Sequence, residues 1–202
     1  YDIVSFCPMS VANTEEKREL LRTHGGHWGD LFKAVEKNDL VALKNQTSAD
    51  TPIHDEVKQP LLAFAAKVAT DIAILEYLID EKKLDVNQKA NEDPPTPITP
   101  FHTAAAFNPD LNILKFLIEK GGDITVRTGE MTVFDYAVMN KNIDIAKYLI
   151  NTYHFDVNHK NASGKTAVFW AAMKSDSKMI RFLVDQHQAK VNLFDMYEST
   201  PL

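Results

Sequence analysis

TPFHTAAA (99–106), TVFDYAVM (132–139) and TAVFWAAM (166–173) are three versions of one phrase, and TPL (200–202) opens a fourth. Their threonines, Thr99, Thr132, Thr166 and Thr200, stand 33, 34 and 34 positions apart. A period near 33 marks a repeat architecture, in which each unit buries its apolar face only against its neighbours. Such a stack offers an extended surface rather than a pocket, so binding a partner is the first functional expectation.

The second half of each unit repeats as well. Ile113 to Ile118 (ILKFLI), Ile145 to Ile150 (IAKYLI) and Met179 to Val184 (MIRFLV) match, and Ile74 to Ile79 (ILEYLI) is an upstream copy. Each is followed by a polar step: Asp85-Val86-Asn87, Asp123-Ile124-Thr125, Asp156-Val157-Asn158 or Lys190-Val191-Asn192. Apolar residues such as Ile145, Tyr148 and Leu149 fall at helical spacing. Ala-rich runs such as Thr103 to Phe107 allow close helix approach. The threonines suit N-caps, and Pro100 and Pro201 suit the first helical position. The pattern predicts two short antiparallel helices per unit, an all-α solenoid of stacked helix-turn-helix units.

Thr99-Pro100-Phe101-His102-Thr103-Ala104-Ala105, with the second helix and the D-V-N step, resembles the ankyrin repeat, whose phrase is T-P-L-H-x-A-A. The resemblance covers roughly residues 28–202. It implies hairpin-like fingers between units, a structural role for His102 in bonding neighbouring loops, and partner contacts on the finger tips and the concave face of the first helices. Lys83-Leu84, His154-Phe155 and Gln188-Ala189 replace the family's Gly-Ala before the polar step, which implies non-standard inter-repeat loops. Irregular repeats of this kind are similar to those of secreted effectors of intracellular bacteria.

The period divides the chain into a leader, 1–27, and units at about 28–58, 59–98, 99–131, 132–165 and 166–199, with a further start at 200–202. In the leader a capping helix is expected around Leu20 and Leu21, ended by Gly25-Gly26. Trp28 to Leu43 is a divergent first unit: Leu31, Ala34 and Val35 share one face, Asn38-Asp39 turns the chain, and Leu40, Val41 and Leu43 begin the second helix. Residues 44–58 are polar and aperiodic and read as a loop. Ala90 to Ile98, with three prolines and two acids, exceeds the period and reads as an enlarged finger.

The apolar content, 45%, supports a packed core, and 25% charged residues is ordinary for a soluble protein. The net charge of −6 disfavours nucleic acid and anionic membranes as partners. One cysteine, Cys7, permits no internal disulfide and fits a reducing, cytoplasmic setting. No run is long enough for a membrane span. Tyr1 stands where a Met is usual and the chain stops three residues into a phrase, so a larger cytosolic parent, present as a monomer, is expected.

Chemical motifs are sparse. Ser163-Gly164-Lys165-Thr166 imitates the end of a phosphate-binding loop, but the glycine required upstream is His159. His24 and His27 flank two glycines, and His154 and His159 straddle a turn, so neither pair makes a zinc set. Cys7 lacks a nucleophile signature. No catalytic, cofactor or metal residues are assigned.

The resemblance therefore directs attention to a surface. On the first helices Phe107, Met139 and Met173 read as an apolar stripe aligned across three units, with Asn140 and Lys174 beside it. On the fingers the candidates are Glu92, Asp93, Arg127, Glu130, Asn161 and Lys165. Tyr136 and Trp170 read as packing residues, the indole N–H needing an acceptor. The expected function is a protein-binding module, a scaffold or target-recruitment arm gripping another protein or peptide. The alternative is the targeting region of an enzyme or secreted effector whose catalytic part lies elsewhere.

Overall fold

The computed structural model describes residues 30–47, 55–89, 98–129 and 131–201. The leader 1–27, Cys7 and the proline-rich segment 90–97 lie outside the described residues.

Ten helices form five pairs among those residues. They are α1 (30–36) and α2 (Leu40–Gln46), α3 (Asp55–Val68) and α4 (Ile72–Glu76), α5 (Pro100–Phe107) and α6 (Leu111–Glu119), α7 (Val133–Met139) and α8 (Ile143–Tyr153), and α9 (Ala167–Met173) and α10 (Ser177–Arg181). First helices stack on first helices, α3 on α5, α5 on α7 and α7 on α9. The outer layer runs α4, α6, α8. Phe32 of α1 meets Phe64 of α3 with ring centroids 5.1 Å apart.

Polar residues at the helix ends set where each helix starts. Thr99 and Thr132 accept from the backbone N–H three residues on, His102 and Asp135. Second helices are capped by Asp39, Asp71, Asp110, Asn142 and Asp176, each accepting from the first turn. Each cap removes an orphan donor, worth about 1 kcal/mol. Between caps, small and branched residues face inward. Ala104, Ala137 and Ala171 are fully buried, as are Leu61, Ile74, Leu75, Leu78, Ile113, Leu114, Leu117, Ile145 and Leu149, in one continuous core.

Three of the five first helices, α1, α7 and α9, end in a left-handed residue. Asn38, Lys141 and Ser175 have φ of 55°, 64° and 50°. In each case the next N–H reaches back five residues (Asp39 to Ala34 O, Asn142 to Ala137 O, Asp176 to Ala171 O). This Schellman closure satisfies the last carbonyls and reverses the chain. Second helices turn the same way at Lys83, Gly121, His154 and Gln188, with φ of 58°, 92°, 56° and 56°. The replacements of the family glycine thus keep its left-handed turn, while two of the loops depart from the Gly121 closure: Leu84 N and Ala189 N reach back six residues, to Leu78 O and Leu183 O, where Gly122 N reaches back five, to Leu117 O. The substitution changes strain, since a non-glycine residue there costs about 1–2 kcal/mol. Two second helices also widen in their last turn, at Tyr77–Glu81 and Phe182–Gln186, before these residues.

Repeats are tied by side-chain rungs. Asn87 accepts from Asp123 N at 2.7 Å and donates to Gly121 O at 2.8 Å. Asn158 accepts from Lys190 N at 2.8 Å. Between them the equivalent residue is Thr125, whose hydroxyl donates within its own turn to Asp123 at 2.7 Å. Asn108 donates to the carbonyls of Ala66 and Ala69, and Asn142 to that of Asn108.

Two further expectations change. Lys44 to Gln46 belong to α2 and 55–58 to α3, so the stretch 44–58 is a shorter connection than its polarity suggested. Val41 is 71% exposed and lies outside the core, whereas Leu31, Ala34, Val35 and Leu43 are buried as their spacing predicted.

Candidate protein-binding surface

The surface is built from the ends of the first helices and the fingers that follow. Counted from the caps, Met139 and Met173 are each seventh in their helix, whereas Phe107 is eighth after Thr99. The register therefore pairs Met139 and Met173 with Ala106, and places Phe107 with Asn140 and Lys174. The expected stripe is two columns: α5 is one residue longer than α7 and α9 because its C-terminal turn runs through Asn108-Pro109 instead of a Schellman closure.

The columns differ in character. Ala106 is buried, Met139 half-buried and Met173 62% exposed, so apolar exposure grows along the stack. In the other column the Lys67 ammonium sits over the Phe107 ring, 5.0 Å from its centroid. Asn140 donates to Tyr136 O at 3.0 Å, and Lys174 is exposed.

The three fingers among the described residues are tight hairpins. Thr128 and Met131 exchange backbone bonds of 3.0 and 3.2 Å. In the next finger Asn161 N donates to Lys165 O, and Asn161 Oδ1 accepts from Lys165 N at 2.8 Å. Asn161 is buried and holds the hairpin closed, so its side chain is spent on the finger. In the last finger Asp195 does the same work, accepting from Tyr197 N and Ser199 N at 2.9 Å. These two fingers touch: Met196 N donates to Ser163 O at 2.9 Å. Gly164 accommodates that approach. Its φ is 77°, and an added Cβ would lie 2.9 Å from Met196 N. The glycine of the apparent phosphate-loop motif is thereby accounted for by backbone packing.

Of the other finger candidates, Arg127 is exposed and its guanidinium donates to His159 Nε2 at 3.0 Å. Lys165 is half-buried, its ammonium 5.5 Å from the Trp170 ring centroid. Glu92, Asp93 and Glu130 lie outside the described residues. The resemblance also makes Phe194 to Ser199 a contact finger but singles out none of its residues; Phe194, Met196 and Tyr197 are 56%, 62% and 73% exposed there. The available signal was compositional: the preceding finger carries Lys160, Ala162 and Ser163 at the same positions.

Under the fingers the fourth residue of each phrase decides the local electrostatics. His102 bridges two elements: Nδ1 accepts from the Thr99 hydroxyl at 2.6 Å and Nε2–H donates to Val126 O at 3.1 Å. Burial holds this imidazole neutral and lowers its pKa to about 4, against the raising effect of the Val126 bond, with Lys89 lowering it further. In the next unit Asp135 completes a capping box, accepting from Thr132 N and Oγ1 at 2.8 Å. Burial raises its pKa, while the Thr132 bonds and the nearby His159 and Arg127 resist. Phe169 occupies the position in the fifth unit, and the Thr166 hydroxyl, buried, has no partner among the described residues. Trp170 Nε1, which needed an acceptor, also meets none there, whereas the Tyr136 hydroxyl accepts from Thr128 at 2.9 Å.

A model of ankyrin repeats in three copies matches residues 62–161 and 134–202. The chain is 27% identical to the palmitoyltransferase AKR1 of Lachancea kluyveri over 180 residues, 86% of this chain and 23% of that protein. It is 35% identical over 88 residues to an ankyrin repeat-containing protein of Schizosaccharomyces pombe, covering 43% of this chain and 40% of that one. It is 30% identical over 120 residues to alpha-latrocrustotoxin-Lt1a of Latrodectus tredecimguttatus, 59% of this chain and 8% of the toxin. The chain thus spans less than half the length of each of these relatives. No helix among the described residues is long and apolar enough to cross a membrane. The family match, the phrase-opening caps and the stacked helix pairs lead to one conclusion: the chain belongs to the ankyrin repeat family, whose repeats serve as protein–protein interaction modules.

Proposed function

We propose that this chain is the target-recruitment arm of a longer cytosolic protein, acting as a monomer and capturing a protein segment on the first-helix ends and fingers of its last units. The observation that carries this reading is the exposure of Met173 on α9 together with Phe194, Met196 and Tyr197 on the following finger. Exposed apolar groups at this density mark interaction surfaces, and methionine adapts to varied partners. The net charge of −6 argues against a nucleic-acid partner. Buried by a partner, each of these side chains contributes on the order of 1–3 kcal/mol to affinity while adding little to folding.

A second reading is favoured by one comparison. The palmitoyltransferase resembles this chain across 86% of its length, yet the match spans only 23% of the enzyme. On this reading the repeats deliver an enzymatic part, carried elsewhere in the protein, to its substrates.

The test is selection of binders from a displayed peptide library against the full chain, followed by Met139→Ser/Met173→Ser. The expected result is at least a tenfold loss of affinity, one order being about 1.4 kcal/mol, with an unchanged denaturation midpoint. Unaltered affinity, or a collapsed midpoint, places these methionines outside the contact surface.

A further inference from the structure

The outer layer differs along its length in how its cations are used. In the first three units four of them are engaged. Lys44 pairs with Glu81 at 3.0 Å and Lys120 with Asp80, Lys82 donates to Thr47 O, and Lys115 lies over the Tyr148 ring. Between α8 and α10 the situation reverses. Lys147, Lys178 and Arg181 line a cavity of about 350 Å³ with Asp144 as the single acid, over Ile143 and Phe182. None of these three cations forms an ion pair or hydrogen bond among the described residues.

The placement follows from helical spacing. Ile143 and Lys147 are four apart on α8; Lys178, Arg181 and Phe182 are three and four apart at α10, so each set shares a face. Three like charges set around one hollow repel one another, and in a chain of net charge −6 they form a local positive field. Three cations and one carboxylate leave a surplus of two positive charges in the cavity.

We propose that this cavity receives a phosphorylated serine or threonine side chain from a partner protein's segment. A phosphoryl group carries about −1.5 to −2 charge near neutral pH, which matches the surplus. The Arg181 guanidinium supplies a planar fork for two phosphate oxygens, and the two lysines supply point charges. Ile143 and Phe182 offer an apolar floor for the carbon stem and the residues beside it. The volume exceeds one phosphoryl group and accommodates a segment of chain. A nucleic acid is a poorer fit, because its affinity comes from many phosphates contacted along a tract and this cluster serves one. The site is on the outer layer and is independent of the first-helix surface, so loss of either leaves the other measurable.

Fluorescence anisotropy with a degenerate phosphoserine peptide library on the full chain tests this. The phosphopeptides are expected to bind at least tenfold more tightly than their unphosphorylated counterparts. Arg181→Gln and Lys147→Gln should each weaken that binding roughly fivefold or more, as loss of a charge-assisted bond implies. Lys89→Gln and Lys190→Gln, at exposed positions elsewhere, should leave it unchanged. Amide chemical shifts on the unaltered protein should move first at Lys147, Lys178 and Arg181, which keeps the test valid if a variant folds poorly. No preference for the phosphorylated peptide overturns the proposal, as does equal weakening by the control variants. Binding to phosphoinositide vesicles without binding to the peptides overturns it in favour of a lipid headgroup. Inorganic phosphate competing as strongly as the peptides overturns it in favour of the free ion.

Discussion

The third and fifth units share a shape but differ in what fills the fourth position of the phrase. In the third, His102 ties the Thr99 hydroxyl to the Val126 carbonyl. In the fifth, Phe169 ties nothing, and the Thr166 hydroxyl is buried without a partner among the described residues. Both helices nevertheless start at their threonine and stack on α7. The comparison separates two jobs. Apolar register and close alanine packing carry the fold, while the polar bridge fixes a finger to its helix and introduces a dependence on pH. Asp135, in the unit between, carries that dependence with the opposite sign.

The largest effect should come from attacking what the two units share. Ala104→Glu and Ala171→Glu each place a carboxylate where no solvent reaches, at a cost of several kcal/mol. Ala104 should cost more, because α5 is packed between α3 and α7 whereas α9 packs on α7. Urea midpoints measure this, and a midpoint unchanged in both variants would mean that alanine packing is not what holds the stack.

Making the third unit resemble the fifth is the next step. His102→Phe leaves the Val126 carbonyl and Thr99 hydroxyl without their bridge, a loss of about 2 kcal/mol near pH 7. It should also flatten the acid response. The folded pKa of His102 is about 4, below its unfolded value of 6.5, so the unfolded chain binds the extra proton between those limits. His102 stability is therefore present above pH 6.5 and lost as pH falls toward 4, by about 3 kcal/mol in all. Asp135, with its pKa raised by burial, contributes stability at low pH that is lost as pH rises through its folded value. Thermal melts from pH 7 to 4 should show a smaller decline in the variant; identical slopes would remove His102 from the acid response.

The smallest effects concern the rungs. Asn158→Ala should cost about 1 kcal/mol by removing the bond to Lys190 N, and Thr125→Asn should add about 0.5 kcal/mol by supplying the rung missing between the third and fourth units. Denaturant midpoints moving the same way in both would contradict a ladder built on this position.

The helix starts at Thr99, Thr132 and Thr166 were legible because a threonine, an apolar period and a recurring spacing agree at each, although the Thr166 hydroxyl makes no cap bond, contrary to the expected N-cap. The core alanines were legible for the same reason. Less legible was α3, which begins at Asp55 inside a stretch whose polarity resembles a loop. Polar residues at the start of a helix carry no apolar period. The loops at Lys83, His154 and Gln188 hid their conformation because the expected glycine is missing, although the residue in its place adopts the same left-handed backbone. On the candidate surface the helix-end residues were found, but their columns were misaligned by one, since α5 closes through Asn108-Pro109. Asn161 was taken for a tip residue although its amide is consumed closing the hairpin, a fact visible only in three dimensions.

Among the described residues seven other than glycine hold a left-handed backbone: Asn38, Lys83, Lys141, His154, Ser175, Gln188 and Glu198. Each forfeits about 1 kcal/mol or somewhat more, and most are far enough apart for the losses to add. These losses are subtracted from a folding free energy that is itself a small difference between large terms. A partner that binds only the folded chain adds to it by an amount set by its concentration relative to Kd, about 2.7 kcal/mol at a hundredfold excess, which is of the same order as the strain of two such turns. A bound partner thus offsets what the strained turns cost, and a simple thermal shift becomes the natural screen for whatever the solenoid binds.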